Sequence, residues 1–283
     1  MKDCKTLGQA ARILIPEYFD KIDWNGIWNR KLETGSAFEW AVLAAMIRAA
    51  RLHGAQVSVP LLDSFQAGEF FILRNEIPLS HGAQAGNSAT ALPSKSLKDR
   101  FFYSLIPKAV FYIHGQVYSV FREGCPYHKI MCGQNYLERT DIIVIPGTVP
   151  DGFPRFSPSG NEVEFAYEYG GQQLSGRLRV INSPLIPCRR RSPRGGLSIN
   201  VTGIVECSVN KSAETAAAQL SRYDRLFAAP PHHPAYSLIT GNTLPPLPYD
   251  CHTVDLTSEN PSSLSSELLK AAAEILKNFS IID

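Results

Sequence analysis

The chain has 283 residues, of which 44% are hydrophobic and 19% are charged, and its formal net charge is +2. This composition is that of an ordinary globular protein, and it excludes both a disordered chain and a protein drawn onto nucleic acid by overall charge. No uninterrupted apolar run reaches the ~20 residues that a membrane span requires. Binding to a polyanion would therefore depend on a local basic patch.

The N-terminal stretch MKDCKTLGQAARILIPEYF mixes polar and charged residues into a short apolar segment and has no small-residue cleavage motif. It predicts a cytoplasmic protein with no secretory signal and no membrane association. Six cysteines are scattered at positions 4, 125, 132, 188, 207 and 251, which favours reduced thiols over a disulfide framework.

The segment GCPYHKIMCG contains three potential zinc ligands, Cys125, His128 and Cys132. Structural zinc sites take four ligands, usually from two close pairs, and no second close pair is present in the sequence. Buried or loop thiols are therefore the favoured interpretation, with a zinc site as the alternative.

The clearest predicted helix spans 34–54, where apolar residues from Phe38 to Leu52 recur at steps of three and four. Short strands are predicted in AQVSVPLL and EFFILRN, followed by a small-residue polar loop at 80–99. Two β-rich runs around His114-Gly115, within 108–124, predict a hairpin.

The segment RTDIIVIPG at 139–147 predicts a buried strand, and alternation on both sides of Gly170-Gly171 predicts a second hairpin at 162–181. After a basic loop, a strand is expected at 197–207 and a helix at 212–228, then short strands in YSLIT and HTVDL. A C-terminal helix at 262–279 carries one apolar stripe, which is either a dimer surface or a lid on the sheet. This order predicts a mixed α/β protein with a central sheet.

Two of the predicted strands carry a carboxylate at one end: Asp141 begins DIIVIPG, and Glu206 ends GIVE. If these strands are neighbours, the two carboxylates approach each other at one edge of the sheet, where their repulsion favours a bound cation. Mg²⁺ prefers oxygen ligands and usually binds one or two carboxylates together with water and phosphate. The pair therefore predicts a Mg²⁺ site, with Mn²⁺ as an alternative ion.

This pattern resembles the PD-(D/E)XK nuclease superfamily, which includes restriction endonucleases and RecB-like nucleases. The resemblance implies a restriction-endonuclease-like core, αβββαβ, over residues 34–257, with Asp141 and Glu206 as the acids and Thr140 where the motif has proline. The RecB-like subgroup carries Q-x-x-x-Y on the next helix, as Gln219 and Tyr223 do here. Glu39 in the first helix stands where many members carry an additional metal-directed acid. The whole chain, 1–283, is then one domain with an insertion at 148–196.

The chain departs from the family motif at its third position. The motif lysine, two residues after the second acid, is Ser208 here, and the nearest lysine is Lys211. The motif lysine orients the attacking water and stabilises charge in the transition state. Lys211 on its flexible four-carbon stem is the candidate replacement.

The loop CRRRSPRGG supplies four guanidinium groups just before the strand that ends in Glu206. Arginine binds phosphate bidentately, so we expect this loop to contact a nucleic-acid backbone. A solvated loop that maintains solubility is the alternative. The arginines are Arg189, Arg190, Arg191 and Arg194.

The resemblance implies a Mg²⁺-dependent endodeoxyribonuclease similar to type II restriction enzymes, acting in restriction or another defence against foreign DNA. RNA remains an alternative substrate, and a homodimer is one possible assembly. The competing hypothesis is a catalytically inactive nuclease fold that binds nucleic acid or a protein, which the replacement by Ser208 favours.

Overall fold

The computed structural model describes the greater part of the chain. The described residues are 4–19, 34–60, 105–122, 127, 140–156, 162–179, 200–209, 212–227, 233–241 and 247–283. They form five helices: α1 (Cys4–Leu14), α2 (Pro16–Phe19), α3 (Thr34–Leu52), α4 (Ala213–Phe227) and α5 (Pro261–Asn278). None of the described helices is both long and apolar enough to cross a membrane.

The same residues form ten strands in two sheets. The strands are β1 (Gln56–Ser58), β2 (Ala109–Ile113), β3 (Gln116–Arg122), β4 (Ile142–Pro146), β5 (Arg155–Phe156), β6 (Glu162–Tyr169), β7 (Gln172–Arg179), β8 (Gly203–Ser208), β9 (Ala235–Thr240) and β10 (Asp250–Thr253).

The large sheet has seven strands in the order β1-β2-β3-β4-β8-β9-β10. Pairing is antiparallel from β1 to β8, whereas β8–β9 and β9–β10 are parallel. The change of direction at β9 follows from the chain path, because α4 crosses between β8 and β9 and returns the chain in the same direction. The predicted mixed sheet flanked by helices is confirmed.

Alternating side chains of each strand divide the core into two layers. Ile142, Val144 and Val205 pack toward α1, α3 and α5, on what we call the α3 face. Ile143 and Ile204 pack toward α4 and the small sheet, on what we call the α4 face. Central strands buried on both faces carry nearly continuous apolar runs, as IIVI in β4 does.

The hairpin predicted around His114-Gly115 is confirmed: β2 and β3 are joined there, with φ angles of 49° and 73° at the two residues. Positive φ at both central positions matches the tight turn whose twist suits antiparallel strands. The second predicted hairpin is β6–β7, which forms a separate three-stranded sheet with β5. Reciprocal backbone hydrogen bonds between Thr148 and Glu168, of 2.9 and 2.8 Å, attach it after β4.

The C-terminal helix α5 begins at an N-cap, where the Asn260 side chain accepts hydrogen bonds from the backbone amides of Ser262 and Ser263. Its apolar stripe is buried within the chain and packs with α1 and α3. Of the two sequence interpretations, a cover on the sheet is therefore correct, and a dimer surface formed by this stripe is wrong.

Two sequence-based predictions need correction: one helix is missing from them, and one strand begins earlier than they place it. The sequence patterns do not predict helix α1, although Leu7, Ala10 and Leu14 lie at helical spacing and are buried in the α3 face. The apolar pattern places the last strand in HTVDL, but β10 begins earlier, at Asp250, because its ends are set by hydrogen bonds to β9. The strand predicted in EFFILRN and the loop at 80–99 lie outside the described residues.

Candidate functional site

The expectation that the two acid-bearing strands are neighbours is confirmed. Strands β4 and β8 pair antiparallel with Ile142 opposite Val205, and continuing this register by one residue sets Asp141 opposite Glu206. The backbone amide of Cys207 donates a 2.7 Å hydrogen bond to Asp141 Oδ2. This bond fixes the Asp141 carboxylate against the end of β8, beside Glu206.

Glu206 is fully buried on the α4 face and is bonded to the next helix. The Tyr223 hydroxyl donates a 2.9 Å hydrogen bond to Glu206 Oε2. Gln219 Nε2 in turn donates a 2.7 Å hydrogen bond to the Tyr223 oxygen. The four-residue spacing of Gln219 and Tyr223 therefore produces a chain of hydrogen bonds that ends on a buried carboxylate.

The Tyr223 hydroxyl is held in its protonated form. Burial raises the pKa of Tyr223 well above its usual range, and the negative charges of Glu206 and Asp141 raise it further. A neutral hydroxyl is a donor, so it stabilises the negative charge of Glu206 by a hydrogen bond. Such bonds to ionised groups are stronger than bonds between neutral groups.

Glu39 forms a buried ion pair with Arg122, the last residue of β3. Arg122 Nε and Nη2 both lie 2.7 Å from Glu39 Oε2. The guanidinium carbon also lies 5.3 Å from the centre of the Trp40 ring, within the range of a cation–π contact. The predicted acid on the first helix is therefore engaged by a cation.

Cys207 lies among all four of these charged groups. Burial raises the pKa of the Cys207 thiol well above its usual range, and the charges of Asp141, Glu39 and Glu206 raise it further, whereas the charge of Arg122 lowers it. Strand register and the ion pair bring these groups together, because Arg122 pairs with Ile142, Ile142 pairs with Val205, and Glu39 is bound to Arg122. Residues from α3, β3, β4 and β8 therefore meet at one end of the large sheet.

Ser208 ends β8 and is almost completely buried. Side chains alternate along a strand, so Ser208 belongs to the same face as Glu206, as the motif lysine would. Lys211 and the arginines Arg189, Arg190, Arg191 and Arg194 lie outside the described residues, as do Cys125, His128 and Cys132. Their assignments stay predictions.

The two carboxylates of this site, without a third, are suited to bind a divalent cation. Within the part of the chain that the structure describes, no group of three or more His, Cys, Asp or Glu side chains is arranged to hold a metal. Mg²⁺ commonly binds through one or two carboxylates, with water and phosphate completing its coordination. A carboxylate has about four lone-pair sites, so one accepted hydrogen bond does not prevent Asp141 or Glu206 from binding a metal.

Sequence reasoning misses Arg122 and Cys207 as members of the site. A single signal in the sequence marks Arg122: it is a charged residue that directly follows the apolar run at the end of β3. Its partner Glu39 is 83 residues away, and no local pattern relates the two positions. The sequence marks Cys207 only as one scattered thiol.

The chain matches no protein-family model, and no curated protein or solved structure resembles it significantly.

Proposed function

We propose that the chain is a divalent-metal-dependent endonuclease of the PD-(D/E)XK type that hydrolyses phosphodiester bonds in DNA. The observation that carries the proposal is the hydrogen-bonded chain from Gln219 through Tyr223 to Glu206, with Asp141 on the adjacent strand. A carboxylate is costly to bury, so one supported by two further side chains calls for a functional reason. Restriction or another defence against foreign DNA is the role we propose.

The order of the elements supports the same assignment. When β1, β2 and the small sheet are left out, helix α3, strands β3, β4 and β8, helix α4 and strand β9 follow one another as αβββαβ. The three strands form an antiparallel meander, and β9 lies parallel to β8. This order supports the proposal of a restriction-endonuclease-like core.

Asp141 and Glu206 are the residues that would hold the ion, Mg²⁺ or Mn²⁺. A bound divalent cation supplies an activated water and compensates the charge that builds up on a cleaved phosphodiester. The protein's own contribution is to hold the ligands in place: the Cys207 amide orients Asp141, and the Tyr223 hydroxyl orients Glu206. Because both donors are fixed before substrate arrives, little reorganisation is needed at the moment of reaction.

A second candidate function is a catalytically inactive nuclease fold that binds nucleic acid or a protein partner. Ser208 favours it, because a buried hydroxyl can orient water but cannot offset developing negative charge. Such a protein would retain substrate binding without turnover.

The test is incubation of the pure protein with plasmid DNA, and in parallel with RNA, in Mg²⁺, Mn²⁺ or EDTA. We expect cleavage of DNA with either metal and none in EDTA. Asp141→Asn and Glu206→Gln should each abolish cleavage while keeping the fold, as judged by circular dichroism. Glu259→Gln, at an exposed position just before α5, is the matched control and should cleave like the wild type.

Other outcomes of that experiment would contradict a specific part of the proposal. Wild-type rates in Asp141→Asn or Glu206→Gln would remove these residues from the metal site. DNA binding without cleavage under every metal would establish the inactive binding protein instead. Cleavage of RNA alone would support phosphodiester hydrolysis but would make RNA, and not DNA, the substrate.

A further inference from the structure

The buried ion pair between Glu39 and Arg122 needs an explanation beyond stability. The two side chains are only 9% and 2% exposed. Removing two charges from water costs so much that a buried ion pair is often no more stabilising than apolar residues of the same volume. Moreover, the pair lies next to the strand ends that carry the two proposed metal ligands, because Arg122 pairs with Ile142 across the sheet and Ile142 pairs with Val205.

The geometry of the pair holds Glu39 in one place. Two guanidinium nitrogens, Nε and Nη2, converge on a single oxygen, Glu39 Oε2. The guanidinium group also lies over the Trp40 ring, which follows Glu39 on α3. A metal ion that recruited Glu39 would have to break a charge-assisted contact inside the protein and leave Arg122 unpaired, which is unfavourable.

The net negative charge of the four groups is equal in size to the positive charge of one divalent cation. Asp141, Glu206 and Glu39 are acids and Arg122 is a base, so their formal charges sum to a value that a single Mg²⁺ neutralises. If the Arg122–Glu39 pair is neutral as a unit, the remaining charge belongs to Asp141 and Glu206 alone. The structure is consistent with this division, since its described residues contain no three-ligand metal group.

We infer that Arg122 is a positioning residue that withdraws Glu39 from the metal site, so that Asp141 and Glu206 bind a single divalent cation. This inference rests on the proposed function, because it concerns the same metal site. It replaces the expectation that Glu39 is itself a metal ligand. The role of Arg122 is electrostatic: it cancels the charge of Glu39 next to the site.

The inference predicts a specific pattern in three variants. Glu39→Gln leaves an unpaired guanidinium beside the two ligands, so metal affinity should fall about tenfold by charge repulsion. Arg122→Met leaves the negative charge of Glu39 unpaired beside the site, so the affinity for the metal should rise. The double variant Glu39→Gln/Arg122→Met removes both charges and should bind metal within about threefold of the wild type.

The experiment is a titration of each full-length protein with Mn²⁺, with free Mn²⁺ counted by electron paramagnetic resonance, which requires no activity. Circular dichroism and thermal melts verify folding. The double variant keeps the test readable even if Arg122→Met fails to fold, because it leaves no unpaired buried charge. The matched control is Glu17→Gln/Arg51→Met, which removes an exposed Arg–Glu pair between α2 and α3 and should leave Mn²⁺ binding unchanged.

We expect one Mn²⁺ per wild-type chain and recovery of affinity in the double variant. If the double variant binds as weakly as Glu39→Gln, Glu39 is a ligand and the inference is wrong. Two ions per chain would overturn it as well. If the wild type binds no Mn²⁺, the proposed metal-dependent function itself fails and the inference falls with it, an outcome distinct from binding without recovery.

Discussion

The hydroxyl of Tyr223 on α4 donates a 2.9 Å hydrogen bond to Glu206 Oε2 on β8, and both residues are completely buried. The bond links the helix to the strand and satisfies a charge that has lost contact with bulk water. Gln219 aligns the hydroxyl from one turn earlier on the same helix. Stability and the proposed function therefore depend on the same three side chains.

We predict that Tyr223→Phe lowers the free energy of unfolding by about 1.5–3 kcal/mol, the range for hydrogen bonds to charged groups. Phenylalanine keeps the ring that packs edge-on against Phe227, so the loss reports the hydroxyl. Urea unfolding followed by circular dichroism measures it. Tyr249→Phe is the matched control, because its hydroxyl bonds Ser221 at an exposed position, and it should cost less than about 1 kcal/mol. Equal losses in both variants would contradict a special role for Tyr223.

We predict that Cys207 reacts slowly with iodoacetamide at pH 8 in EDTA. Burial and three nearby carboxylates raise the pKa of Cys207. The reactive thiolate is therefore scarce until the pH is well above the usual pKa of a cysteine thiol. Cys251, which is exposed on β10, provides the comparison and should be alkylated at least about tenfold faster. Peptide mapping by mass spectrometry separates the two sites.

The same labelling experiment tests whether Asp141 is charged next to Cys207. Asp141→Asn removes one negative charge, which lowers the Cys207 pKa and should speed its alkylation at fixed pH. The Asn side-chain oxygen can still accept the Cys207 amide hydrogen bond, so the local geometry is kept. An unchanged rate in this variant would mean that access alone limits the reaction.

We predict that Gly203→Ala is destabilising by about 1–3 kcal/mol, as expected for overpacking of a core. A Cβ atom at this position of β8 would lie 2.4–2.5 Å from ring atoms of Phe279, which follows α5. Combining it with Phe279→Leu should recover part of the loss. Gly35→Ala on α3 is the control, since its Cβ meets no heavy atom within 4 Å, and its melting temperature should not fall. A wild-type melting temperature for Gly203→Ala would show that α5 shifts without cost.

We predict that Lys211→Ala lowers turnover by about 10² with little change in DNA affinity, because Lys211 is the candidate replacement for the motif lysine. Ser208→Lys combined with Lys211→Ala should restore part of the activity, since it returns a cation to the motif position on β8. Plasmid cleavage and fluorescence anisotropy separate turnover from binding. Wild-type turnover in Lys211→Ala would contradict this assignment.

The residues that the sequence predicts well are those with a local signature. Asp141 and Glu206 each adjoin an apolar strand, and Gln219 and Tyr223 match the Q-x-x-x-Y motif of the family that the sequence resembles, so short motifs are enough to identify all four. Their meeting requires only that β4 and β8 pair. Sequence reasoning can therefore propose the acidic pair and its hydrogen-bonded support.

The Arg122–Glu39 pair cannot be predicted in the same way. It joins a strand end to a helix through tertiary packing. From the sequence alone, a charged residue at either position is equally compatible with a side chain exposed to solvent. The buried setting of Ser208 and the boundaries of β10 likewise depend on neighbouring strands. These features are set by which elements pack together, and periodicity along the chain carries no information about that choice.

The close fit of Phe279 against Gly203 has a consequence for how the protein is made. On the ribosome, β8 emerges before α5, so a nascent chain that already contains Asp141 and Glu206 still lacks the cover over Val205 and Cys207. Domains generally fold as units during synthesis, so we expect a nascent chain stalled before Pro261 to be digested rapidly by protease and to bind no Mn²⁺. Under the proposed function, the metal site would then form only after α5 has been synthesised.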